Sequence, residues 1–426
     1  MYRNIMNDLM EWYEKGQDKI LLLQGAKGVG KTWTVMDFAY GFYDNPIYID
    51  FETDEEAGRF FRSGERVGVP QLIRNIGVHC GAKYRKGKTI YIFDEAHIQP
   101  KTMAAIVRMK KQRPEIPICV IASTMKEITT QEDFFYPLKL YPLSFEEFLI
   151  ANKEQDLCEL VEKQKLEPIP EAQTDKLMEY LKVFYLIGGM PAVVQDFIDH
   201  HEPDRSDMIL KDLLAESEKH ITRYAPAVYL EKIKQIWNSI PAQMEKENRK
   251  FMYQYVDEKA RAREYEKSVN WLVDTGLVRK VNRLKNGSLP IEEQIDEKSF
   301  ELYHLDHGLL RVMCGLSYDS LAEDPLLEDV NGALIEQYVL AELTVNSRIG
   351  QLGFWISGAT ARVEFVFEED GEIIPAIVQP HIRRKAQNIK IYRSRNDNLI
   401  AMRISLDSLS FEKGLINVPL YGLWNF

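Results

Sequence analysis

A chain of 426 residues exceeds what one hydrophobic core usually supports, and two to four domains are expected. Hydrophobic residues at 45% and charged residues at 28%, with no Gly/Ser, Gln or Pro tract, exclude a largely disordered chain. A formal charge of −11 argues against a surface coated for non-specific nucleic-acid binding, although local basic surfaces stay open.

The start, MYRNIMNDLMEWYEKG, reads as a polar-flanked amphipathic helix rather than a signal sequence, and no apolar run approaches membrane-spanning length. Cys80, Cys119, Cys158 and Cys314 form no C-x-x-C pair and read as reduced thiols. Together these features predict a cytoplasmic protein without a membrane partner.

Residues 20–23 are a short apolar run entering a glycine-rich turn, and residues 32–43 then carry helical spacing. Further buried strands are expected at 47–51, 89–93 and 118–122, separated by stretches able to hold helices, which implies a parallel sheet covered on both faces. From 144 to 237 the pattern is helical, with amphipathic segments at 174–186 and 208–220 around the turn at Gly188 and Gly189, as in a helical lid. Short helices, including 262–275, followed by strands at 277–284 and 300–305 around Asn286-Gly287, suggest a winged helix. A helix at 332–345 and strands near 353–355, 362–367 and 373–378 complete a small α/β domain.

Gly25-Ala26-Lys27-Gly28-Val29-Gly30-Lys31-Thr32 satisfies G-x-x-x-x-G-K-[ST], between a strand and a helix as that motif requires. Its inward N–H groups and the positive end of the following helix, which includes Trp33, make an anion site suited to phosphates. Lys31 is expected to reach the β and γ phosphates and Thr32 to ligate magnesium. The strand at 89–93 delivers Asp94 and Glu95 to the same sheet edge, Asp94 for magnesium and Glu95 to orient or deprotonate an attacking water. Ser123 or Thr124, after the strand at 118–122, stands where a polar side chain can sense the γ phosphate; a helix N-cap is the alternative. The expected ligands are therefore ATP and Mg2+.

Asp94 to His97 spell D-E-A-H, but no second RecA-like half supports a helicase. By contrast, the run from Leu140 to Leu149, LYPLSFEEFL, resembles the PLSF-x-EFL signature of a group of bacterial and archaeal AAA-type ATPases. The resemblance continues through Gly188-Gly189-Met190-Pro191, Ile221-Thr222-Arg223-Tyr224, Ser239-Ile240-Pro241, Trp271-Leu272 and Asp306-His307-Gly308-Leu309-Leu310. It implies an α/β P-loop NTPase with an AAA+-like, STAND-like core at 1–143 and a helical lid at 144–237. A winged-helix region at 238–315 and a C-terminal restriction-endonuclease-like α/β domain at 316–426 would follow.

Nucleases of that last fold use an Asp followed by Glu-x-Lys around a divalent ion. Here the corresponding positions resemble Glu364, Ile377 and Gln379, with Glu336 as the helical acid, so the domain is expected to be degenerate and to cut no nucleic acid. Residues 134–139, FFYPLK, carry no arginine where relatives often have Gly-Arg or Gly-Lys, so no arginine finger is expected there; Arg223 and Arg59 are the substitutes, each read first as an ordinary surface ion-pair residue. The basic stretch Arg383, Arg384, Lys385, Lys390, Arg393 and Arg395 reads first as a solvated face. His304, Asp306 and His307 read as packing rather than a zinc site. The leading expectation is an ATP-driven switch acting on a protein partner; a nucleic-acid-associated ATPase and a non-hydrolysing nucleotide-binding scaffold are the alternatives.

Overall fold

The structure is a computed structural model that describes residues 1–63, 68–126, 132–164, 169–246, 249–321, 332–358, 361–379, 387–396 and 400–426. Its contacts divide the chain into two compact units. One comprises residues 2–141 together with 274–276; the other comprises 142–273 and 277–426, with Met1.

In the N-terminal unit, β1 (Ile20–Gln24), β2 (Ile47–Asp50), β3 (Tyr91–Asp94), β4 (Ile118–Ala122) and β5 (Phe135–Lys139) form one parallel sheet in the order β2-β3-β4-β1-β5. Helices Lys31–Phe42, Glu55–Ser63, Val69–His79 and Pro100–Gln112 lie between the strands in the chain. The apolar runs ILLLQ and ICVIA are buried at every position, as befits central strands covered on both faces. Because β1 lies between β4 and β5 rather than beside β2, the loop leaving β1 opens at a crossover of the sheet, where α/β folds hold ligands.

β5 was not anticipated. Its burial alternates and it contains Pro137, both consistent with its place at the sheet edge, where a missing N–H is tolerated.

The larger unit begins with helices Phe145–Ala151, Gln155–Glu162, Glu171–Ile187, Pro191–His200 and Ser206–Tyr224, followed by Leu230–Met244 and Ala262–Asp274. An eight-stranded sheet follows, built from β6 (Val278–Leu284), β7 (Ile295–His304), β8 (Ile349–Ile356), β9 (Arg362–Glu369), β10 (Glu372–Val378), β11 (Ala401–Ser405), β12 (Ser410–Glu412) and β13 (Leu415–Pro419). The β6–β7 hairpin joins β8 through Asn282 opposite Gly353 and Arg283 opposite Phe354, so a single sheet runs across residue 315, where the sequence suggested a boundary. Hydrogen bonding between strands distant in sequence carries no local signature, which is why the pairing was not legible. Nor were β11 to β13 anticipated. Among the described residues no helix is long and apolar enough to cross a membrane.

Candidate functional site

The loop between β1 and the Lys31–Phe42 helix is shaped by Gly28 and Gly30, at φ 88° and 93°, a region that side chains with a Cβ enter only under strain. Within the loop Ala26 and Val29 are fully buried, Lys27 reaches Glu52 at 3.5 Å, and Trp33 stands half exposed on the first helical turn. Lys31 is buried; its Nζ donates to the Ala26 carbonyl at 2.9 Å and to Ser123 Oγ at 3.0 Å. Burial pulls its amine down to about 8 despite the carboxylates of Glu95 and Asp94 nearby.

Thr32 Oγ1 donates to Asp94 Oδ2 at 2.7 Å, and Tyr48 Oη donates to the same oxygen at 3.0 Å. Asp94 ends β3 in a desolvated position that raises its carboxyl above the usual range. Glu95 has left the strand with φ 54°, a left-handed conformation uncommon for a residue with a Cβ. The Ser123 backbone N–H donates to Glu95 Oε2 at 3.2 Å, and His97 Nδ1 lies 3.4 Å from the same oxygen. Burial raises the Glu95 carboxyl and lowers the His97 ring to about 4, so this imidazole is neutral near pH 7. Lys31, Thr32, Asp94, Glu95 and Ser123 therefore meet at one edge of the sheet.

Several contributors carry no motif. Arg3 is buried and donates to the Val29 carbonyl at 3.0 Å and to the Tyr141 carbonyl at 2.6 Å. Gln24 Nε2 donates to the carbonyls of Lys126, at 2.6 Å, and Thr124, at 3.4 Å. The Asp274 carbonyl accepts from Thr124 Oγ1 at 2.7 Å and from the N–H groups of Met125 and Lys126 at 2.6 and 3.2 Å. Thr124 Oγ1 also accepts from the Lys126 N–H at 3.1 Å. A lone arginine, glutamine or aspartate gives no spacing to read; only Tyr48, on a strand already expected to end at this edge, had a sequence signal.

Other charged and polar side chains are tied into structure. Asp50 accepts from the Glu52 N–H and the Thr53 hydroxyl, each at 2.8 Å, and shapes the turn after β2. Arg59 pairs with Glu55 at 3.5 Å one helical turn away. In the larger unit, Glu336 is engaged by Arg249 and by Arg362, the latter at 3.0 Å, and Arg362 also reaches Glu301 at 2.9 Å. Burial opposes the Glu336 carboxylate, yet Arg362 and Arg249 hold it below its ordinary range. Glu364 accepts from the Val378 N–H at 3.2 Å, and Ile377 is buried in β10. His304 and His307 are buried, with His304 beside Trp237 and His307 Nε2 3.0 Å from the Phe184 carbonyl. Arg383, Arg384 and Lys385 lie outside the described residues.

A parallel sheet with a glycine-rich loop after the interior strand β1 and an acid at the end of β3, with β4 between the two strands, is the architecture of a P-loop nucleotide-binding domain. Consistent with this, residues 17–149 match the family described as an AAA domain, and the N-terminal unit is accordingly an ATPase-type domain. Residues 178–320 match a domain of unknown function, DUF8612. No curated protein matches the sequence. Among solved structures, the chain is similar to a Walker-type ATPase of Pyrococcus abyssi, with 12% identity, 74% of this chain and 96% of that chain covered, and a TM-score of 0.45. It is also similar to a signal transduction ATPase with numerous domains (STAND) carrying a tetratricopeptide repeat sensor, from Pyrococcus horikoshii, with 13% identity, 82% and 48% covered, and a TM-score of 0.31.

Proposed function

We propose that the N-terminal unit binds ATP with magnesium and hydrolyses it slowly, and that the resulting change of state is relayed to a protein partner. The observation that carries this reading is the 2.7 Å hydrogen bond between Thr32 Oγ1 and Asp94 Oδ2, which joins a P-loop hydroxyl to the carboxylate ending β3. These are hard oxygen donors, the kind that hold magnesium when phosphates and water complete the shell, and among the described residues no larger acidic or histidine cluster competes for it. When bound there, magnesium would neutralise developing charge on the phosphates.

In this reading Lys31 leaves the Ala26 carbonyl to meet the β and γ phosphates, and the loop N–H groups hold the same oxygens. Glu95 accepts a proton from the attacking water as its oxygen bonds to the γ phosphorus and the bond to ADP breaks; a carboxyl raised by burial is a better base than an exposed one. Ser123, which contacts Lys31 through its hydroxyl and Glu95 through its N–H, reports whether the γ phosphate is present. Turnover is expected to be slow or to need a partner, because residues 134–139 carry no arginine to act as a finger, a residue worth about 10³–10⁵ in rate.

Phosphate release by purified wild type, Lys31→Ala and Glu95→Gln tests this. The first variant should lose ATP binding, and the second should bind ATP while releasing about 10²–10⁴-fold less phosphate. Equal turnover by all three proteins ends the proposal.

A further inference from the structure

Arg3 sits outside every motif, yet its guanidinium is buried and its two ends are committed to different parts of the chain: Nη1 to the Val29 carbonyl and Nη2 to the Tyr141 carbonyl. Val29 lies within the phosphate loop, between Gly28 and Gly30. Tyr141 lies just beyond β5, and the intervening Leu140 N–H donates to the Gln24 carbonyl, immediately before the loop begins. The near end of the loop is therefore held by the β1–β5 ladder, and the far end by Arg3.

A trans peptide unit is planar, with its carbonyl and N–H pointing in opposite directions. Holding the Val29 oxygen toward Arg3 therefore aims the Gly30 N–H away from Arg3. Gly30, at φ 93°, would otherwise be a free hinge of the loop, because glycine tolerates many orientations there. Arginine suits this task because its planar fork presents two donors at a fixed angle, whereas a lysine ammonium is a point charge on a flexible stem.

We infer that Arg3 is a positioning residue of the phosphate cradle, fixing the Val29–Gly30 peptide so that its amide is set for a phosphate oxygen before nucleotide arrives. This rests on the ATPase reading above. Arg3 touches no reacting atom; it acts through the backbone of the loop.

The test compares wild type, Arg3→Ala and Arg3→Lys for KM and kcat with MgATP, for MgATP binding by calorimetry and for melting temperature without nucleotide. Loss of a charge-assisted hydrogen bond that orders the cradle should raise KM and Kd roughly ten-fold or more in Arg3→Ala, with kcat within about two-fold. Arg3→Lys should fall between. Guanidinium chloride at low millimolar concentration should recover much of the affinity of Arg3→Ala without improving wild type, a rescue that a merely structural defect does not predict. Wild type that fails to bind MgATP sinks the ATPase reading itself. Wild type that binds, beside folded variants with unchanged KM and Kd, overturns the role of Arg3. Should Arg3→Ala fail to fold, unchanged KM in Arg3→Lys overturns it equally.

Discussion

The backbone N–H of Gly189 donates to Asp306 Oδ2 at 2.7 Å, joining two motifs separated by 117 residues. Asp306 also caps the helix His307–Met313, its Oδ1 accepting from the Leu309 N–H at 3.0 Å. On its other side, the Gly189 carbonyl accepts from the Leu143 N–H at 2.7 Å, within the PLSF run, and a Cβ at Gly189 would stand 2.3 Å from the Leu143 oxygen. Three of the segments that resemble the ATPase group therefore meet at one buried corner of the larger unit and hold its backbone.

Asp306→Ala leaves two buried N–H donors without their acceptor, at about 1–3 kcal/mol for each unsatisfied group, so stability should fall by about 2–6 kcal/mol. Asp306→Asn keeps one acceptor oxygen and should lose less. Urea unfolding of the three proteins decides this; an unchanged midpoint for Asp306→Ala refutes the account.

Glu342 Oε1 accepts the Phe145 N–H at 2.9 Å, while Oε2 has no hydrogen-bond partner among the described residues. Burial pushes this carboxyl up to about 8. In the unfolded chain it ionises above about 4.5. Between those values the folded state retains a proton that the unfolded state has lost, so this group's contribution to stability falls as pH rises from about 5 to 8. Glu342→Gln mimics the protonated form and should flatten that slope, which melting temperatures recorded across the same range will show. Parallel curves for the two proteins contradict it.

Asp94→Asn keeps the side-chain size and an oxygen facing Thr32 but removes the charge. It should raise the magnesium concentration needed for half-maximal turnover by about ten-fold, the scale of one charged ligand, while ATP binding without metal persists. A magnesium titration of phosphate release measures this, and coincident curves for variant and wild type remove Asp94 from the metal site.

Breaking the cluster of Arg249, Arg362, Glu301 and Glu336 from one side leaves buried charge unpaired. Arg362→Met should therefore cost about 3–5 kcal/mol in denaturant unfolding. The same pairing occupies the Glu336 carboxylate with guanidiniums, so supercoiled plasmid should stay intact with the wild-type protein and Mg2+ or Mn2+. Metal-dependent nicking that Glu364→Ala abolishes is the contrary result.

Much of the N-terminal unit was legible in the sequence because its information is local. Strands β1 and β4 appear as unbroken apolar runs, the P-loop is a contiguous motif, and Asp94 ends a strand whose burial is written in its composition, with Glu95 directly after it. The edge strand β5 escaped because an edge needs neither full burial nor an uninterrupted N–H ladder.

What the amino-acid order determines by itself is the set of elements whose chemistry lies within a few consecutive residues: a phosphate loop with its helix, and an apolar strand running into two acids. Tertiary structure alone decided that Arg3 grips Val29, that Asp274 engages the turn after β4, that Gly189 meets Asp306, and that the β6–β7 hairpin shares a sheet with β8. The reason is physical. A backbone carbonyl looks the same at every position, and which one a distant donor finds depends on the packing of the whole unit.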